Sequence, residues 1–219
     1  MMLSKRLHTV LGQVGSCDVL ADIGTDHAYL PIEACNANIC KTAVACDVNQ
    51  GPLQSAQANI KEAGHTGRIE TRLGNGLEPL NKNEADCIVI SGMGGMRIWD
   101  ILQQDPNKAR YASKLILQPQ HDLEALRRKL HSAGFEITDE KLVLEDARFY
   151  VILQAAYTGK ITTWKNHEYF LGKFLTYEPF FAQYLQYNHE KISRYIQSIN
   201  DCDAKQQAEQ RMKWLEGEL

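Results

Sequence analysis

Residues 20–31 read Leu-Ala-Asp-Ile-Gly-Thr-Asp-His-Ala-Tyr-Leu-Pro. The apolar run Val19-Leu20 reaches an acid, Asp22, and one glycine, Gly24, follows before a helical pattern begins. That order predicts a strand, a tight turn and a helix start. In open α/β sheets ligands bind at the carboxyl ends of strands beside such turns. Gly24 permits both the sharp turn and close approach of a ligand. The loop lacks the three glycines of a dinucleotide cradle and carries Asp26 and His27 instead. A second acid there opposes a pyrophosphate, because it cancels the field that draws anions to helix N-termini. A cationic or zwitterionic ligand suits it better, and S-adenosylmethionine, with its sulfonium and amino group, is the candidate. An ordinary strand-to-helix corner would look similar, so the next segments matter.

Residues 42–48 read Thr-Ala-Val-Ala-Cys-Asp-Val, a buried-strand pattern ending at Asp47 and Val48. Asp47 stands 25 residues after Asp22, one strand–helix–strand unit later. An acid there is placed to bind a ribose hydroxyl pair. Two further loops follow strand patterns. In Leu73-Gly-Asn-Gly-Leu77 the glycines let the backbone pass a flat ring, and the Asn75 amide can bond an adenine edge. Ser91-Gly-Met-Gly-Gly95 leaves room for a planar base. Ser91, Gly92 and Met93 are candidates for the cofactor side of this loop, Gly94 and Gly95 for the substrate side.

Alternating strands and helices predict a doubly wound, mostly parallel sheet of about seven strands, Rossmann-like, with an antiparallel pair at its end. An amphipathic helix over 3–14 precedes it. Strand signals stop near Gly159, so a domain over 1–158 is predicted, followed by a small helical, coiled-coil-like domain over 159–219. Its longest helix is expected from about Pro179 to Asn200, in an antiparallel pair. Its aromatic stripe reads first as core. The sharper reading turns some rings, with Lys165, Lys173, Lys191 and Arg194, toward a nucleic acid.

The 219 residues are 44% hydrophobic and 23% charged, ordinary for a globular chain, with a net charge of −3. That balance does not force a nucleic-acid partner, although a local basic face can sit on a neutral total. Six cysteines without a Cys-x-x-Cys pair read as reduced thiols of a cytoplasmic protein. The scattered histidines offer no metal-ligand spacing, so no metal is expected. No apolar run approaches a membrane span, and nothing calls for an obligate protein partner.

The four motifs 22–31, 50–52, 73–77 and 92–95 together resemble the bacterial tRNA adenine-22 N1-methyltransferase family, and the similarity extends over nearly the whole chain. The resemblance implies a Rossmann-like methyltransferase domain, S-adenosylmethionine as cofactor, and a helical C-terminal domain that helps hold tRNA. By place in the motif, Asp22 and Gly24 would line the methionine moiety, with His27 nearby to orient a ligand or simply to pack. Asp47 and Val48 would take the ribose side, and Asn75 with Gly76 the adenine. The family more often has Asp where Asn75 stands; either side chain can accept from the adenine amino group.

Ring N1 of adenine carries a lone pair, so its attack on a sulfonium methyl needs no prior deprotonation. Amine-methylating enzymes typically carry Asn/Asp-Pro-Pro-aromatic after the fourth strand, and Ser91–Gly95 lacks that set. Asp26 is the candidate acid beside the reaction; its alternative role is to cap the helix expected from Ala28. Other readings are a methyltransferase for rRNA, protein or a small molecule, and an idle binding module on the same scaffold. A nicotinamide dehydrogenase is disfavoured by the missing G-x-G-x-x-G.

Overall fold

The computed structural model describes residues 3–218. Its strands are β1 (Cys17–Ile23), β2 (Cys40–Asp47), β3 (Ile69–Leu73), β4 (Cys87–Met93), β5 (Lys114–Pro119), β6 (Phe135–Glu145) and β7 (Arg148–Tyr157). Its helices are α1 (Lys5–Val14), α2 (Tyr29–Asn36), α3 (Gln50–Glu62), α4 (Gly95–Gln104), α5 (Pro106–Tyr111), α6 (Leu123–Ser132), α7 (Asn166–Leu171), α8 (Phe181–Ser198) and α9 (Cys202–Glu216).

The strands make one sheet in the order β3-β2-β1-β4-β5-β7-β6. β1 to β5 are parallel, and β7 runs antiparallel to both β5 and β6. The central strands are apolar on both faces because helices cover both. Ile88, Ile90, Leu115 and Leu117 point into one layer with Ile98, Leu102, Leu126 and Leu130. Val89 and Ile116, one residue out of step, point into the other with Val10, Val14 and Leu30. The strand order reverses between β1 and β4, the place where doubly wound sheets open a crevice.

Most predicted elements stand within two residues of expectation. α5 was not foreseen. Asp105 caps it by accepting from the Lys108 N–H at 3.4 Å, and Pro106 opens it, but six residues are too few to show a period.

Beyond Tyr157 the chain is helical or irregular. Leu185, early in α8, packs with Leu215, late in α9, so the two helices form the expected antiparallel pair. The start of this region is built into the main core: Leu175 and Tyr184 are buried there, with Trp164 and Phe174 against them. Arg127 on α6, fully buried, organises the junction. It pairs with buried Glu140 at 2.6 Å and donates to the carbonyls of Tyr169 (2.9 Å) and Phe170 (3.1 Å). The other Glu140 oxygen accepts the Phe174 N–H at 3.1 Å. No helix among the described residues is long and apolar enough to cross a membrane.

Candidate active site

The site is built from the loops at the carboxyl ends of β1 to β5. After β1 the chain turns at Gly24, with φ of +77°, and its N–H donates to the Cys46 carbonyl at 2.8 Å, tying the turn to β2. The Met93 terminal methyl lies where a Cβ on residue 24 would stand, and the positive φ is what favours glycine there. His27 and Ala28 both adopt left-handed backbone, at φ +61° and +57°, two consecutive uncommon conformations.

Asp22 is buried at the end of β1, and no described cation pairs with it. Burial pushes its carboxyl up to about 6, and the Asp47 carboxylate adds to the rise. The Thr25 hydroxyl is close enough to lower it partly, yet it makes no hydrogen bond of standard geometry. An unpaired buried carboxylate of this kind fits an ammonium group. Asp47 uses one oxygen to accept the Asn49 N–H at 2.7 Å, which fixes its rotamer and leaves the other for a diol. Val48 beside it is 57% exposed, an apolar surface at the strand end suited to a nucleoside. Gly76, at φ +57°, passes so close to Ile101 and Gln104 that a side chain would collide. These groups fit S-adenosylmethionine: a carboxylate for its amine, a carboxylate for its ribose and a tight glycine turn between them.

Asn75 differs from expectation. Its Oδ1 already accepts from Arg97 at 2.8 Å, which fixes the amide and leaves its nitrogen and one oxygen lone pair to meet a ring. Asp26 differs more. The α2 N-cap is Ala28 and no side chain caps it, so the capping role is overturned. The left-handed pair turns the chain before the helix starts and carries Asp26 away from its first N–H groups. The Asp26 carboxylate is instead 78% exposed and lies 3.1 Å from His27 Nε2. The His27 ring stacks on Tyr29 at 5.2 Å between centroids.

The glycine loop after β4 is held by a residue the sequence reading missed. Gln118 on β5 is fully buried, and its Oε1 accepts from Arg6 (2.6 Å), Ser91 Oγ (3.2 Å), the Gly92 N–H (3.2 Å) and Gln120 (3.3 Å). Gly92 sits at φ +81° to reach it. Arg6 belongs to α1 and also lies over the Tyr150 ring, so the first helix buttresses this loop. The clue was positional: Gln118 ends a strand as Asp22 and Asp47 do.

A family described as "Methyltransferase domain" matches residues 3–153. A Bacillus subtilis protein named tRNA (adenine(22)-N(1))-methyltransferase is 39% identical over 153 residues, 70% of this chain and 64% of that protein, so the match spans under two thirds of its length. The crystal structure of the B. subtilis m1A22 tRNA methyltransferase TrmK superposes with a TM-score of 0.84 at 32% identity, covering 99% of this chain and 98% of that one. The chain belongs to the bacterial tRNA (adenine(22)-N(1))-methyltransferase family. A Streptococcus pneumoniae relative solved in complex with S-adenosyl-L-methionine is 33% identical over all of both chains, with a TM-score of 0.90.

A groove of about 690 Å³ opens between α6, the start of β7 and α8. Lys191 lines it. Lys165, Lys173 and Arg194 lie outside that lining: Lys165 precedes α7, Lys173 lies over Trp164, and Arg194 donates back to its own helix. The structure therefore does not gather the four expected cations into one patch. Of the aromatics, Tyr169 and Tyr184 are buried core, whereas Tyr187 and Tyr195 are exposed.

Proposed function

We propose that this chain transfers the methyl group of S-adenosylmethionine to N1 of an adenine in tRNA, position 22 by family, in the cytoplasm where its six free cysteines stay reduced. One observation carries the choice of atom. The loop Ser91–Gly95 contributes backbone, with no side-chain amide or acid in it to hold an exocyclic amine, and the space beside its last two glycines is taken by His121 and the Asp122 backbone. Bound S-adenosylmethionine supplies an electrophilic methyl on a sulfonium.

The chain's own residues do the rest. Asp22 holds the amine, Asp47 the ribose diol, and Asn75 with Gly76 the adenine edge. With its amide held by Arg97, Asn75 can donate from its nitrogen to a ring acceptor or accept at its oxygen from the adenine amino group. Gln118 fixes the loop so that the target base meets a preset backbone. Ring methylation leaves a cation, and Asp26 is the acid assigned to balance it. Exposed as it is, its field acts strongly only when bound tRNA excludes water from it.

Incubation with unmodified tRNA and nucleoside mass analysis tests this. The expected product is 1-methyladenosine. Methyl on the exocyclic amine would sink the reading of the loop. Asp26→Asn should lower turnover far more than cofactor affinity, because the charge appears only along the reaction.

A further inference from the structure

We propose that His121, braced by Asp122, is the surface on which the target adenine rests; this builds on the tRNA reading above. His121 follows β5 and reaches the glycine loop at Gly94 and Gly95. Its ring packs on Gly94, where a Cβ would come within 2.7 Å of Nε2 and 3.3 Å of Nδ1. Gly94 has φ −65° and ψ 146°, a conformation open to any residue, so what its missing side chain provides is the place the His121 ring occupies. Gly95 is likewise crowded by the carbonyls of Asp122 (2.7 Å) and His121 (2.9 Å). Two of the loop's glycines thus exist to let the β5 loop approach.

The ring is both fixed and open. Nδ1 lies 2.8 Å from Asp122 Oδ2, and the Gly95 N–H donates to the His121 carbonyl at 2.9 Å. Yet the imidazole is 69% exposed. A flat ring held beside the glycine loop with its surface bare is a stacking platform for a base. It also opens into the groove, whose lining sets Arg128, Arg148, Lys191 and Arg211 against Asp122 and Glu124. Glu124 is already shared by Arg128 and Arg211, each at 2.9 Å. The balance favours a polyanion, and Phe149 and Tyr187 add flat surfaces along it. The occupant is the RNA strand flanking the target adenosine, with the base turned inward to His121. N1 attack releases no proton that a base must take, so the imidazole positions rather than deprotonates.

Loss of a base platform costs on the order of 10- to 100-fold. His121→Ala should lower kcat/KM for unmodified tRNA by at least about tenfold, with cofactor affinity by calorimetry and melting temperature unchanged. His121→Phe, which keeps a flat ring, should recover most of the loss. RNA with 2-aminopurine at the target position should be quenched on binding the wild type and not His121→Ala. Wild-type kcat/KM in His121→Ala, or a Phe variant no better than Ala, overturns the platform while leaving the reaction intact. A wild type that makes no 1-methyladenosine overturns the proposed reaction itself, and this inference with it.

Discussion

Asp22 holds a negative charge where the fold offers no cation, at the buried end of β1 beside a second carboxylate. Its carboxyl is raised from 3.8 to about 6, first by burial and then by Asp47. The sign follows. Between those values the folded chain binds the extra proton, so Asp22 costs stability as pH rises through the window, with the full cost present above about 6. A ligand ammonium reverses the preference, because it favours the ionised form. Affinity for S-adenosylmethionine should therefore rise with pH through about 6 and then level. Calorimetry from about pH 5 to about pH 8 reads this, and Asp22→Asn should bind weakly with the step removed. The same step surviving in Asp22→Asn would show that another group titrates. Asp22, Gly24 and Asp47 were readable because a strand end followed by a tight turn fixes where a side chain goes. Asn75's partner was not, since Arg97 reaches it from the helix after another strand.

The elements divide in the same way. Parallel strands and their crossover helices announce themselves through apolar runs and caps, whereas the order β3-β2-β1-β4-β5-β7-β6 is known only from the structure. Arg127 marks where such reading fails. It lies beside Leu126 and Leu130 on α6, where an arginine would ordinarily reach solvent. It is buried because the segment after β7 folds over it, and its partners come from β6 and from residues more than 40 positions onward. Removing one partner of a buried pair leaves an uncompensated charge. Arg127→Met should destabilise the chain by about 3–5 kcal/mol in denaturant unfolding. Arg127→Met with Glu140→Leu should recover much of that, because the stranded carboxylate is gone. A single variant as stable as the wild type would mean that the pair does not hold the C-terminal helices. The pair also explains why the region beyond Tyr157, though distinct in sequence, shares its core with the sheet. Burying Leu175 and Tyr184 depends on the path that Arg127 and Glu140 enforce.

At the scale of the whole molecule, the proposed reaction requires a chain of net charge −3 to hold a polyanion. Total charge decides little here; its distribution decides the path. The groove beside the glycine loop collects four basic side chains, and two of them, Arg148 and Lys191, make no ion pair among the described residues. These two stand free to neutralise phosphates, whereas Arg128 and Arg211 are partly spent on Glu124. The groove adjoins the glycine loop through His121 and Asp122, so RNA lying in it would pass beside the proposed site. Each phosphate contact releases counterions on binding and steepens the dependence of log K on log salt by about 0.7–0.9. Arg148→Ala and Lys191→Ala should each flatten that slope by about one contact, and the double variant by about two. Lys205 is exposed on α9 outside the groove lining, and Lys205→Ala should leave the slope unchanged. Titration of labelled unmodified tRNA at several salt concentrations gives all four slopes. An unchanged slope in the double variant, or an equal change in Lys205→Ala, would place the RNA on another face, because a groove that binds phosphates must lose counterion release when its free cations go.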